Sequence, residues 1–329
     1  MTERRSARPS AAPPPGGSLV VRDTLDDAEA SAVRALVARA QHVDGAAALI
    51  ENALLRLRAD DGCARHVLAH DGAGVGADLV AYAHLDLSEA RARVAAECVV
   101  DPRHRRAGWG SAVVARALLE VDGAPVLLWS HGDHPGAARM AGRLGFARVR
   151  DLWRMVRPLG AAGGAAAPPL PAMQLPDGIA VRTYEPGRDE RVWLDLNARA
   201  FADHPEQGAM DAGDLAQRTG SEWFDPAGFF LAERAGRLVG FHWTKVHAGE
   251  AAEPAVGEVY VVGVDPAEQG SGLGSALTLV GLHHLAGLGL GSVLLYVEAD
   301  NAPALRVYAR LGFRHAATDT QYRHPGLAP

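Results

Sequence analysis

The chain has few cysteines, few aromatic residues and no excess of positive charge. Two of its 329 residues are cysteine and 6% are aromatic, and 33 Lys and Arg stand against 39 Asp and Glu, a net charge of -6. Cys63 and Cys98 lie outside any CxxC or Cys/His spacing, which argues against a disulfide framework and a structural zinc site. The net charge has the wrong sign for a general nucleic-acid binder. We therefore expect a cytoplasmic protein without a metal or a nucleic-acid partner.

Long apolar runs are also scarce. No apolar segment follows Arg4 and Arg5, so neither a secretory nor a twin-arginine signal is indicated, and residues 1–17 are predicted to be a disordered tail. The most apolar stretch, residues 276–295, approaches the ~20 residues that a membrane span needs. His283, His284 and several glycines interrupt this stretch. It predicts a helix, a turn and a buried strand, and we expect no membrane association.

An internal duplication organises the rest of the chain. The order of an Asp-Pro pair, a glycine loop, an apolar run and a Leu-Gly-Phe element occurs twice, with Asp265 and Gly272 each 164 residues after Asp101 and Gly108. A Pro-, Gly- and Ala-rich segment separates the copies. We predict a first domain at 18–157, a linker at 158–178 and a second domain at 179–325.

Each copy predicts alternating strands and helices. The β-branched run at 256–264 indicates a central strand, and the helical spacing of apolar residues after Gly272 indicates a helix that begins at the glycines. Residues 293–298 predict a short buried strand, and 302–311 a short helix ended by Gly312. These signals favour an α+β fold, but they do not give the order of the strands.

The two glycine loops, 105–110 and 269–274, share the form Q/R-x-x-G-x-G at the start of a helix. Glycine lets the backbone approach a ligand closely, and a helix N-terminus offers unpaired N–H groups and partial positive charge, so a pyrophosphate is a suitable guest. One such loop alone is typical of a structural turn. Two copies, each with Asp-Pro upstream and Leu-Gly-Phe downstream, are a stronger signal.

On these loops the chain resembles the GNAT superfamily of acetyl-CoA-dependent N-acetyltransferases. The strings HPEQG (204–208), EWFDP (222–226), GFHWTK (240–245), GEVYVVGVDP (257–266) and YVEADN (296–301) are similar to those of a tandem branch of that superfamily. That branch acetylates the cysteinyl amine of desacetylmycothiol, a cysteinyl glucosamine–inositol. The resemblance implies two tandem GNAT domains, each a mixed and mostly antiparallel sheet flanked by helices. It also implies acetyl-CoA as cosubstrate, and we expect a monomer.

The resemblance assigns acetyl-CoA contacts residue by residue. In the second domain it implies a strand edge for pantetheine, a loop around the pyrophosphate and a helix start along the CoA arm. These are Val262, Gly263 and Val264, then Gln269, Gly270, Ser271, Gly272, Leu273, Gly274 and Ser275, then Asn301, Ala302, Pro303, Ala304, Leu305 and Arg306. The corresponding positions of the first domain are Cys98, Val99, Val100, Arg106, Ala107, Gly108, Trp109, Gly110 and Ser111.

Only the second domain carries both catalytic groups that the resemblance implies. Glu258 would take the ammonium proton of the acceptor, directly or through water, and Tyr308 would protonate the leaving CoA thiolate. At the 164-residue offset of the glycine loops, Val94 stands in the place of Glu258. At the 167-residue offset of the Leu-Gly-Phe elements, Ala141 stands in the place of Tyr308. The first domain is therefore predicted not to catalyse, although its basic loop is consistent with a CoA bound as a structural ligand.

The acceptor, which has an ammonium group and many hydroxyls, is expected to meet polar and acidic side chains. The resemblance implies that its contacts are Glu51, Glu206, Lys245, Glu258 and Tyr296. Two other interpretations remain open at this point. One is a tandem acetyltransferase for another aminoglycoside or amine, and the other is a CoA-binding module without catalysis.

Overall fold

We describe a computed structural model of the chain, which covers residues 11–72, 74, 76–89, 92–160, 167–202, 207–249 and 254–327, apart from the side chains of residues 51 and 52. The helices are α1 (Asp27–Asp44), α2 (Glu51–Leu55), α3 (Trp109–Leu119), α4 (Pro135–Arg143), α5 (Glu190–Ala200), α6 (Ala212–Thr219), α7 (Leu273–Gly287) and α8 (Ala302–Arg310). Within this described part, none of the helices has both the length and the apolar character that a membrane span requires.

Twelve β-strands complete the described part of the chain. They are β1 (Ser18–Arg22), β2 (Ala64–Asp71), β3 (Asp78–Asp86), β4 (Val94–Val100), β5 (Val126–Ser130), β6 (Ala147–Pro158), β7 (Ile179–Thr183), β8 (Phe229–Arg234), β9 (Arg237–His247), β10 (Val256–Val264), β11 (Ser292–Glu298) and β12 (Arg314–His324). The predicted strands at 256–264 and 293–298 are β10 and β11, and the predicted helix at 302–311 is α8.

The chain forms two compact units, and their limits differ from the predicted contiguous domains. Unit 1 is Met1–Leu152 with Ala317–Pro329, and unit 2 is Trp153–Ala316. The C-terminal segment belongs to unit 1 because residues 320–324 of β12 pair with β5. Conversely, residues 153–158 belong to unit 2, where β6 is the neighbour of β11. Each half of the chain thus ends in a strand that completes the other unit.

The two units have the same mixed sheet topology. In unit 1 the strand order is β1-β2-β3-β4-β5-β12, with β4 and β5 parallel and the other pairs antiparallel. In unit 2 the order is β7-β8-β9-β10-β11-β6, with β10 and β11 parallel and the pairs from β7 to β10 antiparallel. Helices cover these mostly antiparallel sheets, so the predicted α+β class is confirmed.

Local sequence sets the ends of the elements. The Asp26 side chain accepts a hydrogen bond from the Glu29 amide and that of Glu29 from the Asp26 amide, a capping box that starts α1, and Gly45 at φ 64° ends it. The alternation of buried residues along α1, Ala30, Val33, Leu36, Val37 and Ala40, presents one face to the sheet of unit 1.

Two predicted segments, the N-terminal tail and the linker, lie partly outside the described residues. The predicted tail lies outside the described residues up to position 10, but residues 14–17 form a turn in which the Gly17 amide donates to the Pro14 carbonyl at 3.0 Å. Gly17 lies close against the Trp109 ring, where a Cβ would collide with it, so the chain is ordered before residue 18. Of the predicted linker, residues 161–166 lie outside the described residues.

Candidate active site

A cleft opens in unit 2 where two parallel strands separate. Gly257, Glu258 and Val259 of β10 pair with residues 293–295 of β11, and no register pair follows among the described residues of these strands. The pairing of β10 with β9 shifts between Val259 and Val261, which indicates a β-bulge at Tyr260. Residues 260–264 of β10 are therefore left with open backbone groups on the side of β11.

The glycine loop lies at the end of β10. The Asp265 carboxylate accepts from the Ala267 amide at 3.0 Å and forms an ion pair with Arg199 of α5 at 3.1 Å, which fixes the chain where it leaves the sheet. The hydrogen bond to Ala267 and the nearby Arg199 hold the pKa of Asp265 below its usual range, although burial opposes them. Gly270 and Gly272 then take φ +82° and +85°, backbone values that residues other than glycine rarely adopt, and α7 begins at Leu273.

Glu258 is buried beside a histidine and a lysine. The residue is 7% exposed, and its Oε2 lies 2.6 Å from Nε2 of His247 on β9. In the ladder Glu258 is directly opposite Lys245, so both side chains lie on one face of the sheet. Glu258 and Lys245, two residues predicted to contact the acceptor, are thus neighbours.

Aromatic rings surround the Lys245 ammonium group. Its Nζ lies 4.3 Å from the centroid of the Trp223 ring and 5.6 Å from that of Tyr260, and the Arg218 Nε donates to the Tyr260 hydroxyl at 3.2 Å. A cation over such faces is stabilised by ~0.5–2 kcal/mol. The sequence prediction did not include Arg218, His247 or Tyr260. The alternation of strand residues was a signal for His247, because it lies two positions after Lys245 and so on the same face.

Tyr308 lies on α8, whose start is fixed by Asn301. The Asn301 side chain accepts from the Ala304 amide at 3.1 Å, so the sequence places a helix cap at this end of the predicted CoA contacts. The Tyr308 ring packs edge-on against Phe313 with centroids 5.7 Å apart. Burial raises the pKa of the Tyr308 hydroxyl to about 12, so it keeps its proton at neutral pH.

Unit 1 has the corresponding cleft without these groups. Its parallel pairing runs from Val94 to Glu97, and the predicted contacts Cys98, Val99 and Val100 follow the last pair and line a cavity of about 390 Å³. Val94 and Ala141, at the positions of Glu258 and Tyr308, are fully buried apolar residues. Burial raises the pKa of the Cys98 thiol to about 12, so this cysteine is not a thiolate nucleophile.

This cavity, which we call the first cavity, is basic. Its wall includes the loop from His104 to Gly110, the start of α4 and several arginine side chains: Arg105, Arg106, Arg139 and Arg143. Arg105 is bound to Asp44 by two hydrogen bonds of 2.7 Å, whereas the exposed Arg106, at φ 66°, has no ion-pair partner among the described residues. Tyr322 of β12 also lines the cavity, a contribution that the predicted domain limits did not anticipate.

Three of the predicted acceptor contacts are either not fully described by the structure or exposed. Glu206 lies outside the described residues, and so does the side chain of Glu51, whose backbone begins α2. Tyr296 of β11 is 42% exposed. The part of the chain that the structure describes contains no group of three or more His, Cys, Asp or Glu side chains able to hold a metal ion.

The residues of unit 2 fit a bound acetyl-CoA on three structural grounds. The open edge of β10 can pair with pantetheine amides, and a Cβ built on Gly270 or Gly272 meets no atom within 4 Å, so space surrounds the loop. The first amides of α7 have no intrahelical acceptor and can bind phosphate oxygens. This arrangement of splayed parallel strands, glycine loop and helix N-terminus defines an acetyltransferase of the GNAT class.

Comparison with known proteins agrees with this class. The profile of the acetyltransferase (GNAT) family matches residues 192–313. The GCN5-related N-acetyltransferase from Sphaerobacter thermophilus superposes with a TM-score of 0.69 at 27% identity, over 94% of this chain and 96% of that one. A tandem GNAT protein from the clavulanic acid biosynthesis pathway gives a TM-score of 0.72 at 20% identity, over 95% and 99% of the two chains, and this shows likeness of fold alone.

Closer relatives narrow the assignment. The chain is 52% identical to the mycothiol acetyltransferase of Thermomonospora curvata, over 94% of this chain and 98% of the relative. It is also 52% identical to the mycothiol acetyltransferase of Thermobispora bispora, over 92% and 98%. The chain belongs to the mycothiol acetyltransferase family.

Proposed function

We propose that this chain transfers the acetyl group of acetyl-CoA to the cysteinyl amine of desacetylmycothiol, the last step in the formation of mycothiol. The observation that carries the proposal is the position of Glu258. Its buried carboxylate is paired with His247, is opposite Lys245, and lies on β10 just before the bulge where the strand edge opens. The names of the relatives supply the acceptor.

Unit 2 supplies the groups that hold the acetyl donor. Acetyl-CoA, when bound, provides an acetyl group activated as a thioester. We assign its pantetheine arm to the backbone of Val262, Gly263 and Val264, and its pyrophosphate to the loop from Gln269 to Ser275. Residues 301–306 at the start of α8 would hold the arm near the thioester, where Asn301 fixes the turn of the chain.

Glu258 serves as the general base. An amine attacks a carbonyl carbon only in its neutral form, and a carboxylate within reach accepts the ammonium proton, directly or through water. The His247 ring, 2.6 Å from Oε2, orients the carboxyl group and offers a second site for the proton. As the new C–N bond forms, the bulge at Tyr260 gives the strand an irregular backbone at which amide N–H groups can face the developing oxyanion.

Tyr308 serves as the general acid. When the C–S bond breaks, the CoA thiolate needs a proton, and the Tyr308 hydroxyl carries one at every physiological pH because burial raises its pKa to about 12. The phenolate that remains recovers the proton that the acceptor amine has lost. No acetylated side chain is required in this scheme, and Cys98, buried in the other unit, is not a candidate for one.

The acceptor contacts follow from the same surface. We assign the hydroxyls of the glucosamine–inositol to Lys245 and Tyr296, and the ammonium group to Glu258, with Glu206 and Glu51 as further acidic contacts. The Lys245 ammonium group is held over the Trp223 and Tyr260 rings, which limits its freedom before the acceptor binds.

Unit 1 is assigned a binding role without catalysis. Its cavity of about 390 Å³ has the open strand edge, the glycine loop and four lining arginines, a set of groups suited to the phosphates of CoA. Val94 and Ala141 carry neither a base nor an acid. We also propose that the chain works as a monomer in the cytoplasm, in keeping with its two free cysteines.

The proposal is tested by the choice of acceptor. Purified protein is given acetyl-CoA and desacetylmycothiol, beside glucosamine, a cysteine amide and a common aminoglycoside, and CoA release and product mass are measured. We expect an acetylated cysteinyl product to form at least ~100-fold faster than any other. Faster acetylation of another amine would show that this amine, and not desacetylmycothiol, is the acceptor. CoA binding without any product refutes catalysis.

A further inference from the structure

A row of buried polar side chains crosses the sheet of unit 1. His84 of β3 is directly opposite Glu97 of β4, and both are 3% exposed. Farther along the row, His131 follows β5, and Asp319 is its neighbour on β12, where Thr320 pairs with Ser130. The proposed chemistry uses none of these groups, although burial of so many titratable side chains is costly unless they are paired.

Glu97 joins the row to a loop. Its Oε2 accepts a hydrogen bond of 2.8 Å from the Ile50 amide, the group that immediately precedes α2. Its Oε1 lies 3.6 Å from Nε2 of His131, close enough for an ion pair. One buried carboxylate thus connects the end of the 45–50 loop to the histidine after β5.

His131 is held on its other side by the C-terminal strand. Its Nδ1 lies 3.1 Å from Oδ2 of Asp319, and Oδ1 of the same carboxylate accepts from the Gly132 amide at 3.0 Å. Burial alone would lower the pKa of His131, but Asp319 and Glu97 outweigh it and raise the pKa to about 10. The Trp129 ring is stacked with the imidazole, with centroids 6.3 Å apart. His131 is therefore a fixed cation between two carboxylates.

Both ends of this arrangement belong to the wall of the first cavity. Ala46, Ala47 and Ala48 of the 45–50 loop line the cavity, and so does His131. The loop begins at Gly45, which ends α1 in the left-handed conformation, and it ends at the Ile50 amide held by Glu97. Glu97 is the side chain that anchors the far end of this wall.

We propose that Glu97, His131 and Asp319 are positioning residues that hold the 45–50 loop as a wall of the first cavity and so retain the CoA-type ligand assigned to it. His131 keeps Glu97 oriented toward the Ile50 amide, and Asp319 keeps His131 in place. The C-terminal strand thereby stabilises a ligand-binding loop of unit 1. The retention step rests on the proposed CoA-binding role of unit 1, whereas the anchoring of the loop does not.

Amide hydrogen exchange tests the anchoring in the full chain without ligand. Glu97→Ala removes the acceptor of the Ile50 amide, and we expect its exchange to become about 10- to 100-fold faster at pH 7, as for loss of a hydrogen bond to a charged group. Asp319→Asn, a milder change at a less buried position, should give a smaller effect of the same sign. The matched control is Asp189→Asn, which neutralises a buried, arginine-paired carboxylate of unit 2. Unchanged Ile50 exchange in both unit 1 variants overturns the proposal.

The protonation of His131 gives a readout that a purely structural role would not change. We expect a histidine NMR signal that stays protonated at pH 8.5 in the wild type and is missing in His131→Asn. In Glu97→Gln the same signal should titrate at lower pH, because one of the two carboxylates that face the ring has lost its charge. A His131 signal that is neutral at pH 8.5 in the wild type contradicts the fixed cation.

Ligand retention is measured by calorimetry and native mass spectrometry with acetyl-CoA. We expect two sites in the wild type, and Arg106→Ala identifies the site in the first cavity by weakening it. Glu97→Ala and His131→Asn should weaken that same site by about tenfold, since part of the binding energy is then used to order the loop. If the wild type binds CoA only in unit 2, the proposed role of unit 1 is wrong and retention fails with it. If both sites are present and the variants bind normally, only the present inference is wrong.

Discussion

In both units, a central strand ends at an aspartate that binds an arginine from the first helix and the backbone amide two residues on. In unit 1 Asp101 binds Arg39 at 2.8 Å and the Arg103 amide at 3.0 Å. In unit 2 Asp265 binds Arg199 and the Ala267 amide in the same manner. A left-handed glycine and a helix follow each aspartate, so the frame that presents a glycine loop has been kept twice.

The units differ where a reaction would take place. Glu258 and Tyr308 of unit 2 correspond to the buried Val94 and Ala141 of unit 1. The bulge of β10 at Tyr260 has no counterpart in β4, which pairs with β3 in an unbroken register. The comparison teaches that both units keep the Asp-Pro turn and the glycines, whereas the side chains to which we assign catalysis can be absent without loss of the fold.

The units also hold their loops with different charges. In unit 2 the position of His104 is taken by Glu268, which pairs with Arg234 at 3.2 Å, and the loop that follows carries no cation. In unit 1 the loop carries Arg105 and Arg106 beside the cavity. On the proposed roles, unit 2 would bind phosphate through backbone amides and release its product each turnover, whereas unit 1 would add arginines to hold its ligand. This contrast accords with transient binding in unit 2 and retention in unit 1.

The largest expected effect separates Glu258 from its counterpart. Glu258→Gln keeps the shape of the side chain but cannot accept the ammonium proton, so turnover should fall by ~10²- to 10⁴-fold. The control Val94→Ala leaves a cavity in the core of unit 1 and should lower the thermal midpoint, with turnover changed less than threefold. Steady-state kinetics and thermal unfolding of both variants check this. Equal losses of turnover in the two variants would show that Glu258→Gln lowers activity through loss of stability and not through loss of a general base.

Tyr308→Phe should have the next largest effect. Removal of the hydroxyl leaves the CoA thiolate without its proton donor, and kcat should fall by ~10²-fold with little change in the KM for either substrate. Since the pKa of Tyr308 is about 12, the hydroxyl should cause no decline of kcat below about pH 11. The control Tyr184→Phe removes the hydroxyl of a buried tyrosine outside the cleft, and its kcat should stay within twofold. A wild-type kcat in Tyr308→Phe would show that Tyr308 is not the general acid.

Smaller effects are expected at the paired loop glycines. Gly272→Ala places a side chain at φ +85°, which costs about 1–2 kcal/mol, and should raise the KM for acetyl-CoA by roughly tenfold. Gly108→Ala, at φ +99°, should show its effect in the stability of unit 1 and in the CoA stoichiometry. Calorimetry beside kinetics measures both quantities. A larger KM increase for Gly108→Ala than for Gly272→Ala would reverse the roles of the units.

The smallest effect concerns acid stability. Burial lowers the pKa of His66 and His84 in unit 1, and of His242 in unit 2, to about 4. Between about pH 6.5 and 4 the unfolded chain binds more protons at these positions than the folded chain, so the stability is lost as the pH falls through this range. Denaturant titrations at several pH values should show a shallower loss for His84→Gln and His242→Gln than for the wild type. An unchanged slope in both variants would show that these rings are not neutral in the folded protein.

The sequence predicted those parts of the molecule that depend on local patterns. The run 256–264 became β10 with no change of bounds, and α4 and α8 begin 167 residues apart, as the Leu-Gly-Phe offset implied. The positions of Val94 and Ala141 followed from the same arithmetic. Such features were accessible because strand periodicity, helix caps and glycine turns are all set within a few residues.

Features that depend on distant pairing were not accessible. Nothing in the sequence of 317–324 indicates that it completes unit 1, because strand order depends on which edge is open after the rest has folded. For the same reason the prediction missed Glu97 of β4, Asp319 of β12 and His131 in the turn after β5, and placed no role on Tyr322. Tyr260 was missed because the bulge in β10 alters the register that alternation alone would give, whereas His247, two positions after Lys245, could have been found from alternation.

The central claim is that one unit catalyses while the other only binds, and one comparison tests it most directly. Acetyl-CoA and desacetylmycothiol are given to the wild type and to the Glu258→Gln/Tyr308→Phe double variant, and acetylated product and bound CoA are both measured. We predict that the wild type forms the product, whereas the double variant still binds CoA in both units and forms none above the uncatalysed rate. Product formation by the double variant at a rate near that of the wild type would place the chemistry elsewhere and contradict the account.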